Sequence, residues 1–129
     1  MRAALLALGL LALAPPAAAQ TPPATPASVS PQQRQRVIDL AYVLGQAHAL
    51  HRVCAGSEDN TWRGRMTRLI QVEAPDAPYR ARLMASFNAG FVASNAQYAT
   101  CTDKSALAER TAAERGRELA RSLAAGVAP

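Results

Sequence analysis

Two histidines and a cysteine with regular spacing could together bind a metal ion. His48, His51 and Cys54 form the pattern H-x-x-H-x-x-C in a stretch with helical periodicity. Residues three apart share a helix face, and imidazole and thiolate are zinc ligands. His48 and Cys54 are about 120° apart around a helix of 3.6 residues per turn, so the three side chains do not converge. We therefore expect both histidines in the core or at an interface, with metal binding by His48 and His51 as the alternative.

Haem binding has little support in the sequence. A Cys-x-x-Cys-His attachment site for covalent haem is absent. A noncovalent haem between His48 and Met66 or Met84 would fit a helical bundle, but Met at helical spacing typically fills a core. No cofactor is therefore expected.

Catalytic motifs are also absent. The sequence has no Gly-rich phosphate loop, no His-Glu-x-x-His and no Gly-x-Ser-x-Gly. Glu73 is the one acid in line with the apolar face of its segment, and a salt bridge to Arg80 or Arg82 is its simplest role. The sequence thus predicts a protein that is not an enzyme.

The single tryptophan, Trp62, lies beside a cluster of arginines. Arg63, Arg65 and Arg68 follow it within six positions. Core packing is the simplest role for Trp62. If it is partly exposed, Trp and Arg together are typical of protein-binding hot spots. Nucleic-acid binding is not expected, because no aromatic residues are interleaved with the arginines.

The N-terminus predicts a signal peptide over residues 1–19. Arg2 supplies a positive charge, residues 3–14 form a short apolar run, and residues 17–19 are alanines of the kind that precede cleavage. The run is shorter than the roughly 20 residues that span a bilayer. We expect cleavage after Ala19, export to the periplasm of a Gram-negative cell and no membrane span.

The remaining chain predicts a tether followed by one domain. Residues 20–30 are rich in Pro, Thr and Ala, which is typical of a flexible linker. Residues 31–125 are enough for a single domain. The net charge of +5 comes mostly from arginines dispersed among acids, so it favours acidic partners only weakly.

Hydrophobic periodicity predicts four helices, at about 31–55, 58–74, 77–98 and 103–125. In the first, one apolar stripe is formed by Val37, Leu40, Ala41, Leu44, Ala47 and His51. In the third, Gly90 either lets another helix approach closely or marks a kink. In the last, a row of small side chains permits a short distance to a neighbouring helix, namely Ala108, Ala112, Gly116 and Ala120. No segment alternates with period two, so no sheet is expected.

Two cysteines in an exported chain predict one disulfide, Cys54–Cys101. Short connections favour antiparallel neighbours, so the first and third helices should point the same way. Cys54 ends the first helix and Cys101 follows the third, which brings both to one pole of an up-down bundle of four helices. The cysteine count and the helix directions therefore both predict the Cys54–Cys101 disulfide.

The sequence also resembles a family of short exported alphaproteobacterial proteins of unknown function. The resemblance is carried by LAYVLGQAHALHRVC at 40–54, WRGRM at 62–66, FNAGF at 87–91 and the second cysteine, Cys101. It implies a compartment and a source but no activity or site residues.

Together these features predict an all-α, disulfide-bonded module that binds an envelope protein or peptide. The expected interaction surface is Trp62, Arg63, Arg65 and Arg68. A metal- or haem-binding bundle that uses His48 and His51 is the competing hypothesis.

Overall fold

The computed structural model describes residues 29–126, which fold into four helices: α1 (Pro31–Ala55), α2 (Thr61–Glu73), α3 (Ala77–Gln97) and α4 (Asp103–Ala124). No strand occurs in this part of the chain, so the predicted all-α class is confirmed. The predicted signal peptide (1–19) and all but the last two residues of the predicted tether (20–30) lie outside the described residues.

Side-chain caps fix where three of the helices begin. The Gln33 amide donates to Ser30 Oγ at α1 (3.1 Å) and the Tyr79 amide to Asp76 Oδ1 at α3 (2.9 Å). Thr102 begins α4 in a reciprocal capping box with Ser105. Each cap satisfies backbone N–H groups that have no partner within the helix.

The second helix begins later than predicted. It starts at Thr61 instead of residue 58. The Thr61 amide donates to Asp59 Oδ1 at 2.8 Å, and the Asn60 side chain donates to the Glu58 carbonyl, so residues 58–60 lie outside the helix in the loop that precedes it. Asp59, predicted inside the first turn of the helix, instead accepts a hydrogen bond from that turn.

Helix α1 is the centre of the molecule. It packs against each of the other three helices, whereas the backbone of α4 does not come close to that of α2 or α3, and α2 meets α3 only briefly. Seven of its eight residues from 43 to 50 are buried, and the exception is Gln46. Leu44 and Ala47 of the predicted apolar stripe are buried, but burial in this part of α1 extends beyond the stripe because helices cover it on several sides.

The predicted directions of the helices are confirmed by contacts along α1. Tyr79 Oη donates to the Arg34 carbonyl and Ser86 Oγ to the Ile38 carbonyl, so α1 and α3 run parallel. Glu109 meets His51, nearer the end of α1, so α4 runs antiparallel to it. The Cys54–Cys101 disulfide joins the end of α1 to the linker after α3, with Cα atoms 4.8 Å apart.

Two glycines let α1 and α3 touch through their backbones. A Cβ on Gly45 would overlap the Phe87 carbonyl oxygen, and a Cβ on Gly90 would overlap the Tyr42 carbonyl oxygen. Helix α3 is uninterrupted from Ala77 to Gln97. Of the two roles considered for Gly90, close approach is therefore the one observed.

The core consists of two clusters on different sides of α1. The larger lies between α1, α2 and α3 and contains Val37, Leu40, Ala41, Leu44, Met66, Ile70, Tyr79, Leu83 and Phe87. The smaller lies between α1 and α4 and contains Val43, Ala47, Leu50 and Ala112. Gly116 of the small-residue row faces α1 closely, since a Cβ added to it would lie 3.5 Å from Val43 Cγ1, as that row predicts.

Candidate functional site

A groove of about 550 Å³, the α2–α4 groove, runs between these two helices because both pack on α1 while their backbones stay apart. Its floor is formed by Leu40 and Leu44 of α1 and by Gly116 of α4. Its walls carry Trp62, Arg65, Arg68, Leu69 and Val72 from α2 and Ala113, Arg117 and Ala120 from α4. The lining is apolar apart from three arginines.

The groove brings together three of the four side chains in the predicted interaction surface. Trp62, Arg65 and Arg68 line it, whereas Arg63 does not. The Arg65 guanidinium lies 4.7 Å from the centre of the Trp62 ring, a cation–π contact. Trp62 is half-buried and packs against both core clusters. It therefore has a core role and also presents one part of its ring to the groove.

Sequence reasoning missed the wall that α4 contributes. Arg117 lies about fifty positions from Arg68, and no local pattern links the two residues. Val72 was also missed, although its side chain is 67% exposed in the groove. The available signal was the small-residue row of α4, which indicates a face that a neighbour can approach.

A second groove, the α3–α4 groove, has a volume of about 750 Å³ and a more polar lining. Its floor includes Leu50, Ser94 and Ala112. Amide, hydroxyl and cationic side chains surround this floor, namely Gln46, Gln97, Tyr98, Thr100, Thr102, Lys104, Thr111 and Arg115. Sequence reasoning did not identify this groove.

His51 lies between two carboxylates. Its Nδ1 is 2.7 Å from Glu109 Oε1 of α4, and its Nε2 is 3.5 Å from Asp59 Oδ2 of the α1–α2 loop. The pKa of Asp59 is lowered, mainly because its carboxylate accepts a hydrogen bond from the Thr61 amide. His51 thus connects the C-terminal end of α1 to the loop and to α4, close to the disulfide.

His48 is buried among aromatic rings of α3. Its side chain is 1% exposed, and its ring lies 5.8 Å from the Phe87 ring and 5.5 Å from the Phe91 ring, centre to centre. Neither ring nitrogen has a hydrogen-bond partner among residues 29–126. Burial lowers the pKa of His48, and the charges of Arg63 and Arg52 lower it further. The core role expected for this histidine matches its position.

The two histidines do not converge on one point. His48 faces α3, whereas His51 faces α4 and the α1–α2 loop. Among residues 29–126, no group of three or more His, Cys, Asp or Glu side chains is arranged to hold a metal ion. Cys54 is in the disulfide. Met84, one of the methionines considered for haem, is 41% exposed.

Glu73 does not form the predicted salt bridge. In the described part of the chain it has no ion pair with Arg80 or Arg82. Burial at the end of α2 raises its pKa. Burial also raises the pKa of Tyr79, and the nearby charge of Glu73 adds to this effect. Glu73 is therefore a partly desolvated carboxylate that forms no ion pair with any described Arg, Lys or His.

No helix in the described part of the chain has the length and apolar character needed to cross a bilayer. The fold and the grooves define a small helical protein with one disulfide, built around a central helix and with a groove on each of two sides. A family model described as "Protein of unknown function (DUF2385)" matches residues 32–126, and the chain belongs to this family. The searches of curated proteins and of solved structures find no match.

Proposed function

We propose that this protein is a non-enzymatic binding module of the cell envelope that binds an acidic, partly apolar segment of another protein in the α2–α4 groove. The observation that carries the proposal is the charge of this groove. Arg65, Arg68 and Arg117 stand around an apolar floor, and its described lining contains no Asp or Glu. A partner with carboxylates beside an apolar stripe complements such a lining.

The length of the groove favours a helical segment as the ligand. Trp62 and Val72 are ten positions apart on α2, which corresponds to about 15 Å along a helix axis. That length accommodates anchor side chains at positions i, i+3 or i+4 and i+7 of a docked amphipathic helix. The small side chains of Ala113, Gly116 and Ala120 leave room for these anchors. Trp62 and the arginines are residue types enriched at binding hot spots.

The surroundings of His51 support a role without catalysis. A general base needs a ring nitrogen that can accept a proton from a nucleophile or a water molecule. Both ring nitrogens of His51 face carboxylates, Glu109 on one side and Asp59 on the other. His48 is enclosed by aromatic rings and buried.

The proposed location is the periplasm of an alphaproteobacterium. The support is the signal-peptide pattern of residues 1–19, the two cysteines, and the resemblance to exported proteins of that group. A disulfide that closes a long loop suits an oxidising compartment. The partner in this proposal is accordingly an envelope protein or peptide.

Tryptophan fluorescence tests the proposal directly, because Trp62 is the one tryptophan of the chain and lies in the groove. The probe is a synthetic amphipathic helical peptide with Leu on one face and Glu on the other. We expect a saturable change in Trp62 emission and weaker binding at high salt. The same peptide with Gln in place of Glu should bind at least tenfold more weakly.

Two double variants of arginine distinguish binding in the groove from a general effect of the positive charge of the protein. Arg68→Ser with Arg117→Ser removes one cation from each wall and leaves the Arg65–Trp62 contact in place. Arg80→Ser with Arg82→Ser removes the same charge from exposed positions outside the groove. We expect about tenfold weaker binding for the first pair, since exposed ion pairs contribute about 0.2–1 kcal/mol each. Equal loss for both pairs would refute a groove-specific site.

A further inference from the structure

The α3–α4 groove differs in chemistry from the α2–α4 groove. Its large apolar side chains are few, and it lacks the Trp–Arg pair found on the other side. Half of its lining residues carry amide or hydroxyl groups. A polar ligand would lose fewer hydrogen bonds to water here than in an apolar groove. The two grooves therefore suit different ligands.

Three polar side chains in this groove are free to bind a ligand. Gln46, Gln97 and Tyr98 all line it, and none of their side chains has a hydrogen-bond partner among the described residues. An amide offers both a donor and an acceptor, which matches the paired hydroxyl groups of a sugar. The Tyr98 ring is half-buried against the core and can support the apolar face of a sugar ring.

Two cations mark the ends of the groove on α4. Lys104 and Arg115 are eleven positions apart, which is about 16 Å along the axis and nearly a whole number of turns. Both lie in the lining, and the described lining contains no carboxylate. A ligand that contacts both cations is extended and carries more than one negative charge.

We infer that the α3–α4 groove is a second binding site, and that its ligand is an anionic oligosaccharide. Gln46, Gln97 and Tyr98 bind sugar hydroxyls and a ring face, while Lys104 and Arg115 bind carboxylates on separate sugar units. With the first groove occupied by a protein segment, the module connects an acidic glycan to an envelope protein. Glycan binding does not depend on the first groove, because the two linings share no residue, whereas the connecting role rests on the proposed function.

Calorimetric titration of the oxidised protein with three probes tests the inference. Tetragalacturonate carries a carboxylate on every sugar, maltotetraose is an uncharged sugar of the same length, and tetraglutamate carries the charges without sugars. We expect tetragalacturonate to bind at least tenfold more tightly than either of the others. Because the arginines of the α2–α4 groove also attract carboxylates, the titrations use the Arg68→Ser, Arg117→Ser variant. In this variant, equal binding of tetraglutamate would overturn the sugar part, and equal binding of maltotetraose would overturn the anionic part.

Variants and spectra locate the site. Lys104→Ser with Arg115→Ser should weaken tetragalacturonate binding at least tenfold, whereas Arg80→Ser with Arg82→Ser should not. In nitrogen–proton spectra, the side-chain amide signals of Gln46 and Gln97 should shift on binding. Unchanged amide signals at saturation, or no detectable binding by folded protein, would overturn the inference.

Discussion

The contact between α1 and α3 makes a sharp prediction about four glycines. Gly45 and Gly90 face backbone carbonyl groups of the opposite helix, Gly116 faces a side chain, and Gly64 faces open space. All four lie within helices. The same substitution, Gly→Ala, should therefore raise the free energy of unfolding at some of these positions and lower it at others, although helix propensity alone favours Ala at each one.

The magnitudes follow from two opposing effects. Ala is better than Gly inside a helix by about 0.8–1.0 kcal/mol. Overpacking costs about 1–3 kcal/mol, and more where the obstacle cannot rotate away. A Cβ on Gly45 or Gly90 would overlap a carbonyl oxygen of the backbone. We therefore expect the free energy of unfolding of each variant to fall by about 2 kcal/mol or more. For a domain of this size, that corresponds to a Tm lower by about 8–16 °C.

The other two glycines are matched controls. Gly64 is exposed, and a Cβ added there would meet no other atom within 4 Å. Gly64→Ala should therefore raise the free energy of unfolding by about 1 kcal/mol. At Gly116 the nearest atom to a new Cβ is Val43 Cγ1 at 3.5 Å, an ordinary contact. Gly116→Ala should therefore be neutral or mildly stabilising.

Urea unfolding of the four single variants and of the Gly45→Ala, Gly90→Ala double variant measures these effects. One separation of α3 from α1 relieves both overlaps, so the double variant should lose less than the sum of the single losses. If Gly45→Ala and Gly90→Ala are as stable as Gly64→Ala, the backbone contact between α1 and α3 is refuted.

Three further predictions concern stability. Cys54→Ser with Cys101→Ser opens a loop with a sequence separation of 47 and should cost about 4 kcal/mol, so an unchanged Tm in thermal unfolding would contradict a stabilising role. His48→Leu should flatten the pH dependence of the unfolding free energy. Because the pKa of His48 is lowered in the folded protein, the stability that the neutral ring contributes is full above the unfolded pKa of 6.5 and is lost as pH falls. Parallel curves of unfolding free energy for variant and parent between pH 5 and 8 would show that His48 does not titrate in this way. Glu73→Gln should stabilise the protein at pH 7 but not at pH 3. The pKa of Glu73 is raised in the folded protein, so the ionised carboxylate destabilises the fold as pH rises through 4.5 and above. Urea unfolding at both pH values measures the difference, and a lower unfolding free energy of the variant at pH 7 would contradict the prediction.

Local signals in the sequence predicted much of the fold. Ser30 and Thr102 are caps whose partners lie three residues away, so the beginnings of α1 and α4 could be predicted from local sequence alone. The disulfide followed from compartment and helix direction. The start of α2 was wrong because Asp59 can either begin a helix or accept the Thr61 amide from outside it, and only the folded loop decides between these roles.

The packing around α1 could not be predicted from periodicity. A stripe of apolar residues indicates one buried face, but small residues such as Gly45 and Ala49 reveal nothing about which face is covered. The partners of His51 were also inaccessible, because Glu109 lies 58 positions away. The same reason explains why Arg117 was missed at the groove, whereas Trp62 and Arg68 share one short helix and were found.

The most direct test of the proposed function is a map of where the acidic peptide binds. Nitrogen–proton spectra of the oxidised protein, recorded with and without the Leu/Glu peptide, report each amide and the indole N–H of Trp62. We predict that the largest shifts occur at Trp62, Ala113 and Gly116, with little change at Gln97. Shifts that are spread over all arginine-bearing surfaces, or that are centred outside the α2–α4 groove, would contradict the proposal.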